Sequence, residues 1–309
     1  MAGFWSEITR KLAEQWFSLL ALPGALYLAV VATARVLGHP HALDIRYLGH
    51  QITSYAGHPA VTTLGGQIIL LIAVLAGAAV VGLIAQFLGA VVENICLAAG
   101  WQSLSLPLRL PARWCVRVRR RRWDVADAAY QAEYRGALAP DPADRPDPAR
   151  RHRAARIRDR IAVERPERPT WSGDRIHAAA LRLDRDHHLD LATVWPALWL
   201  ILPDTTRDEL TAARLTLSRA TTLAAWAVLY LPLGILWWPA VPLAVVIAAT
   251  ARHRIRGTSD TYATLLETTT RLHATALATQ LGIDHTGPLT PQLGHTLTRH
   301  LHSRPPQDT

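Results

Sequence analysis

His39, His41, Asp44, His50 and His58 lie within one short polar stretch. Imidazoles and a carboxylate are ligands for zinc or copper, and the His39-Pro40-His41 order keeps two rings near each other. Histidine also changes charge near neutral pH, so proton sensing is a second candidate role. The simpler reading is a loop whose histidines bind nothing. The chain has no HExxH pair, no phosphate-cradling glycine loop and no dinucleotide fingerprint. Its two cysteines, Cys96 and Cys115, are too few for a disulfide framework or a zinc site of their own. No cofactor and no catalytic group is expected from these residues.

Charge is the second kind of chemistry on offer. Residues 115–125, CVRVRRRRWDV, hold Arg117, Arg119, Arg120, Arg121 and Arg122, with Arg113 just before them. A further set, Arg252, Arg254 and Arg256, follows an apolar block. Basic clusters beside apolar segments mark the cytoplasmic side of a membrane and attract anionic lipid headgroups. A grip on nucleic acid would need a recognisable module to carry the charge. None occurs, so no nucleic-acid partner is expected. Downstream, Asp186-His187-His188 resembles the triplet of DHH-type phosphoesterases, a resemblance that implies a metal pair and hydrolysis. That family carries further aspartate motifs on strands, and no such partner follows here. At the end of a helical stretch the two imidazoles instead suit the negative end of the helix dipole.

The apolar segments that would position these groups dominate the composition. Half of the 309 residues are hydrophobic and only 18% are charged, with a net charge of +9. Soluble domains carry about 25% charged residues, so part of the chain is expected to meet a solvent other than water. Residues 17–37 form one apolar segment with a single charge, Arg35. Residues 66–100 form a second, free of charge until Glu93. A hydrocarbon core of about 30 Å needs about 20 helical residues, and both segments meet that length. A third block, Ala220–Ala251, is too long for one crossing and short for two. Trp237-Trp238-Pro239 breaks it in the middle, with indoles suited to an interface, and predicts a tight hairpin that either crosses fully or is re-entrant. Phe4, Ile8, Leu12 and Trp16 share one face of an amphipathic start, which fits either an interfacial helix or the solvated start of the next helix.

Within the second segment Ala78, Gly82, Ala85 and Gly89 recur at helical spacing, with Gln86 beside them. Small residues allow close helix packing in lipid, and a polar side chain can bond across the contact. The stripe therefore predicts packing on the first span or against a second copy of the chain. Residues 137–170, rich in Pro, Asp and Arg, read as a flexible linker. Residues 193–204 are apolar but too short to span, and predict a helix docked on other helices or on the membrane surface. Thr206 and Glu209 match a capping box, and Gly282 and Thr290-Pro291 read as a helix stop and a helix start. Tyr262, Leu265, Thr269, Leu272, Ala276 and Gln280 share a predicted helical face.

The expected fold is thus all-α: a multi-pass integral membrane protein with four transmembrane helices, two separate spans and a tight hairpin, plus a helical cytoplasmic region. The expected divisions are a membrane unit over 1–100 with an outside loop at 38–65, a basic segment and linker over 101–170, and cytoplasmic helices over 171–219. The hairpin over 220–251 and a helical tail over 252–309 complete the chain. Basicity carried by arginine, with Lys11 the single lysine, suggests a bacterial source, and the charge asymmetry places both termini in the cytoplasm at the plasma membrane. The expected partners are the lipid bilayer, anionic headgroups, a second copy of the chain and a cytoplasmic protein. A non-enzymatic anchor, scaffold or sensor is the leading function. A channel, transporter or membrane-disrupting effector comes second, and a lipid-site or metal-dependent hydrolase third.

Overall fold

The computed structural model describes residues 22–56, 63–97, 106–139, 141 and 145–302. The amphipathic start and His58 lie outside the described residues. Among the described residues all regular structure is helical. In chain order it comprises α1 (Leu22–Leu37), α2 (Ile45–Ala56), α3 (Leu64–Leu97), α4 (Leu106–Ala137), α5 (Pro148–Ile161) and α6 (Trp171–His187). Then follow α7 (Leu191–Ile201), α8 (Asp204–Tyr230), a 3-10 turn (Leu231–Ile235), α9 (Ala240–Gln280) and α10 (Pro291–Leu301).

Local chemistry explains most boundaries. Asp147, Thr170, Asp190 and Thr290 each use a side-chain oxygen to accept a free amide of the first helical turn, at Ala149, Gly173, Ala192 and Leu293. Pro148 and Pro291 sit at the start of their helices, where a missing N–H costs nothing. The α9 helix ends in a Schellman motif. Gly282 takes φ +68°, its N–H donates to Thr279 O, and Ile283 N–H donates to Ala278 O. The capping box at Thr206 is not used, because α8 begins at Asp204.

The chain forms two compact units, Met1–Val92 with Ser218–His253, and Glu93–Leu217 with Arg254–Thr309. In the first, Tyr230, Leu233, Ala240 and Ala244 make a small core joined by Tyr27, Val30, Val31, Trp226, Trp237 and Ile247. Tyr27 meets Tyr230 edge-on at 5.2 Å and donates its hydroxyl to Leu229 O. Trp237 Nε1 donates to Ala42 O, and His39 Nε2 lies 2.8 Å from Ile235 O. These bonds bring the segment after α1 to the turn between α8 and α9.

Within the first unit α3 stands apart from that core. It is 34 residues long, about 51 Å of helix, and it is the one described helix long and apolar enough to cross a membrane. Only 17% of its most apolar stretch is covered by the rest of the chain. Its buried residues are Ala78, Gly82, Ala85 and Gly89. A Cβ on Gly24 of α1 would fall 2.8 Å from the Ala78 carbonyl carbon, and one on Gly89 would fall 2.8 Å from Thr222 Oγ1 of α8. The small-residue stripe is therefore filled by this chain's own helices. Gln86 points the other way and is exposed, so it makes no bond across that contact.

The second unit has a conventional aliphatic core. Leu189, Val194, Leu198, Leu202, Leu210, Leu277, Leu293 and Leu297 pack from α7, α8, α9 and α10. The apolar segment after residue 190 is thus docked on other helices. Of the expected α9 face, Thr269 is buried and Tyr262 and Leu265 pack on this core. Leu272, Ala276 and Gln280 are instead exposed, and the neighbouring face of Leu266, Thr270, Ala274 and Leu277 turns inward. Both faces satisfy the same spacing, and only the partner helices select between them.

The expected flexible linker is also corrected. Residues 148–161 form α5, which packs along α4, and residues 162–170 are tied down by named bonds given below. Arginine and proline bury little apolar surface, but here they order the segment through hydrogen bonds to its carbonyls.

Candidate functional site: a charged socket around the end of the apolar helix

The last carbonyls of any α-helix lack intrahelical partners. The last turn of α3, from Glu93 on, belongs to the second unit, and residues of that same unit supply donors for them. Arg168 Nη1 donates to Leu97 O at 2.8 Å, and the Thr170 hydroxyl donates to Cys96 O. The same Thr170 oxygen accepts Gly173 N–H at 3.1 Å and so caps α6. One hydroxyl thereby joins the negative end of α3 to the positive end of α6, a favourable meeting of dipoles. Gly173 permits the approach, because a Cβ there would lie 2.9 Å from both Cys96 O and Leu97 O. Glu93, one turn earlier, pairs with Arg214 of α8 at 2.6 Å and is almost covered.

Behind this contact sits a buried ion network. Asp174 Oδ1 accepts the N–H groups of Glu167 and Arg168 at 2.8 and 2.7 Å. Its Oδ2 faces Arg119 Nη1 at 2.6 Å. Arg119 also donates to Arg168 O and Ile161 O, Arg120 donates to Pro166 O, and Trp123 Nε1 donates to Ala162 O. Residues 161–168 are thus threaded across α4 by its own arginines and indole. Arg175 is buried and binds Asp260 Oδ1 at 2.6 Å and Thr264 Oγ1 at 2.9 Å, which ties α6 to α9. Arg256 donates to Arg160 O and stacks over Trp171 at 4.6 Å.

Burial raises the Asp174 pKa above its ordinary value, against the opposing pull of Arg119 and the two backbone N–H groups. Burial also lowers that of Arg168, opposed by Asp174 and Glu167. The first shift carries a pH signature. From 3.8 upward the unfolded carboxyl is ionised while the folded one still holds its proton. The stability this group contributes is therefore fully present below 3.8 and falls as pH rises through the raised folded value. Asp174→Asn cannot ionise, so its melting temperature relative to wild type is expected to rise across that window. A wild type that gains on the variant as pH rises would show that the Arg119 attraction, and not burial, sets the sign.

The arginines anticipated as one lipid-facing set divide in two. Arg119, Arg120 and Arg256 donate to carbonyls of their own unit. Their acceptors are the carbonyls of Arg160, Ile161, Pro166 and Arg168. Arg113, Arg117, Arg121, Arg122, Arg252 and Arg254 remain exposed.

The loop histidines are not brought together. His39 meets Ile235 O, His41 stacks on Tyr47 at 4.5 Å, and Asp44 accepts Tyr47 N–H as the cap of α2. His50 is exposed, and no cluster of three potential metal ligands occurs among the described residues. Among the described donors His39, His41 and Asp44 each have a partner other than one another. Asp186 pairs with Arg271 at 3.1 Å, and His188 takes the left-handed φ of +48° as the cap of α6. That triplet closes a helix.

Sequence reasoning passed over Arg168, Asp174, Arg175 and Arg214. A usable signal was present: Thr170 followed by Gly173 and Asp174 marks a capped helix start with an acid in the first turn. No protein-family model, no curated protein and no solved structure matches the chain. The fold and site therefore define a class in physical terms: an all-α protein whose long apolar helix ends in a socket of arginines and a buried carboxylate.

Proposed function

We propose that this protein is a membrane-anchored scaffold or sensor, with α3 crossing the bilayer and its cytoplasmic end, from Glu93 on, held within the second unit. The observation that carries this reading is the surface of α3. No charge occurs from Leu64 to Val92, and large aliphatic side chains from Ile68 to Ile95 stay exposed. A core helix of that composition would be covered by its own protein, whereas 17% coverage matches a helix solvated by lipid tails. Glu93, Arg214 and the exposed arginines of α4 then mark the cytoplasmic side.

The four-crossing arrangement belongs to the same proposal. Bonds from Trp237 and His39 tie the α8–α9 turn to the segment after α1, as expected if both reach the outer face. The arm from Ala240 to Arg252 spans about 18 Å, so Arg252 must reach toward headgroups for a full crossing. All the buried charges of the socket are engaged in bonds that hold helices, which favours a structural role over catalysis.

The full-length chain is expected to sediment with membranes, to resist alkaline carbonate and to be released by detergent. Recovery in the high-speed supernatant without detergent would overturn the proposal. Labelling Cys115 in intact cells by an impermeant maleimide is expected to fail until the membrane is opened. Labelling from outside would reverse the orientation alone.

A further inference from the structure

The split of the arginine run leaves one face of α4 with a composition of its own. Leu110, Arg113, Trp114, Arg117, Arg121 and Val125 fall within about a third of the helix circumference. All six are exposed, Leu110 at 59%, Trp114 at 64% and Val125 at 74%. The acids of α4 are neutralised elsewhere. Asp124 pairs with Arg165, Asp127 with Arg158 and Glu133 with Arg150. Among the described residues no carboxylate forms an ion pair with Arg113, Arg117 or Arg121.

We infer that this face of α4 docks on the anionic surface of a bilayer, an inference that rests on the membrane reading of α3. Arginines between an indole and aliphatic side chains match the boundary between headgroups and acyl chains. Soluble polyanions would use the charges but give Leu110 and Val125 no apolar counterpart. The tether agrees: α4 begins after residues 98–105, so at most about 30 Å of chain separates it from the end of α3. From Leu110 to Val125 the face runs about 22 Å, long enough to lie along a surface. Each arginine near an anionic leaflet strengthens attachment about fivefold. Arg119, on the far side of α4, and Arg120, at the edge of the face beside Arg113, instead lock α4 to residues 161–168.

The test uses the full chain in lipid nanodiscs, with both native cysteines changed to serine and an environment-sensitive dye on Val125→Cys. In discs containing phosphatidylglycerol the emission is expected to shift to the blue, and in pure phosphatidylcholine it is not. About 1 M salt, where the screening length shrinks to about 3 Å, should reverse the shift. Arg117→Gln with Arg121→Gln should weaken the lipid response by more than about tenfold. Circular dichroism of each variant verifies retained helix. The same emission in both lipids, from protein that has entered the discs, would overturn docking while leaving α3 as a span. A shift caused by added RNA or polyglutamate but not by the anionic lipid would assign the face to a soluble polyanion and overturn the inference. Failure of the chain to enter discs would remove the membrane reading, and this one with it.

Discussion

Arg119→Ala is expected to destabilise the second unit by about 3–5 kcal/mol, the scale for breaking a buried pair by removing one partner. Asp174 keeps 4% of its side-chain surface in contact with solvent and Arg119 keeps 17%. Removing the guanidinium therefore leaves a desolvated carboxylate, and it also frees the carbonyls of Ile161 and Arg168. The neighbouring Arg121→Ala should leave the transition where it is, because that side chain is exposed. Urea or thermal unfolding of the full chain in detergent reads both variants. Equal transitions for the two would refute the division of the run. The cost does not imply that the pair itself is strongly stabilising. The raised Asp174 pKa shows that desolvation outweighs attraction, as is common for buried ion pairs. Asp174 cannot simply become leucine, since the amides of Glu167 and Arg168 depend on its Oδ1.

The second large effect is steric. Helix propensity alone predicts that glycine to alanine within a helix stabilises by about 0.5–1 kcal/mol. At Gly257 of α9 nothing lies within 4 Å of a new Cβ, and Gly257→Ala is expected to follow that rule. At Gly24 the methyl would strike the carbonyl of Ala78, backbone that cannot rotate aside. Gly24→Ala should therefore lose stability, by about 1–3 kcal/mol as for other overpacked sites. Paired melting curves in detergent decide the matter: two shifts of the same sign would contradict the close crossing of α1 and α3. The same logic applies to Gly89, which lies against Thr222. Gly89→Leu is expected to disrupt the first unit itself, rather than to separate two copies of the chain.

Much of the architecture was legible from local pattern. The uninterrupted aliphatic run of α3, the break at Trp237-Trp238-Pro239, and the caps at Gly282 and Thr290 depend on neighbours in sequence. So does the spacing of Ala78, Gly82, Ala85 and Gly89. The socket was not legible in the same way. Arg168 and Leu97 are far apart along the chain, as are Arg175 and Asp260. A guanidinium in a Pro/Arg-rich stretch looks the same whether it meets water, lipid or a buried carbonyl. The linker reading failed for that reason: composition measures how much apolar surface a segment can bury, and here hydrogen bonds to arginine supplied the order.

The amino-acid sequence by itself determined the helical class, the length of the one described helix suited to a bilayer, and where most helices stop and start. These follow from hydropathy, period and capping, which act over a few residues. Tertiary structure alone decided which arginines turn inward, which face of α9 is buried, and what fills the small-residue stripe. Those outcomes depend on which distant carbonyl, carboxylate or helix arrives at each side chain, and no local pattern encodes that arrival.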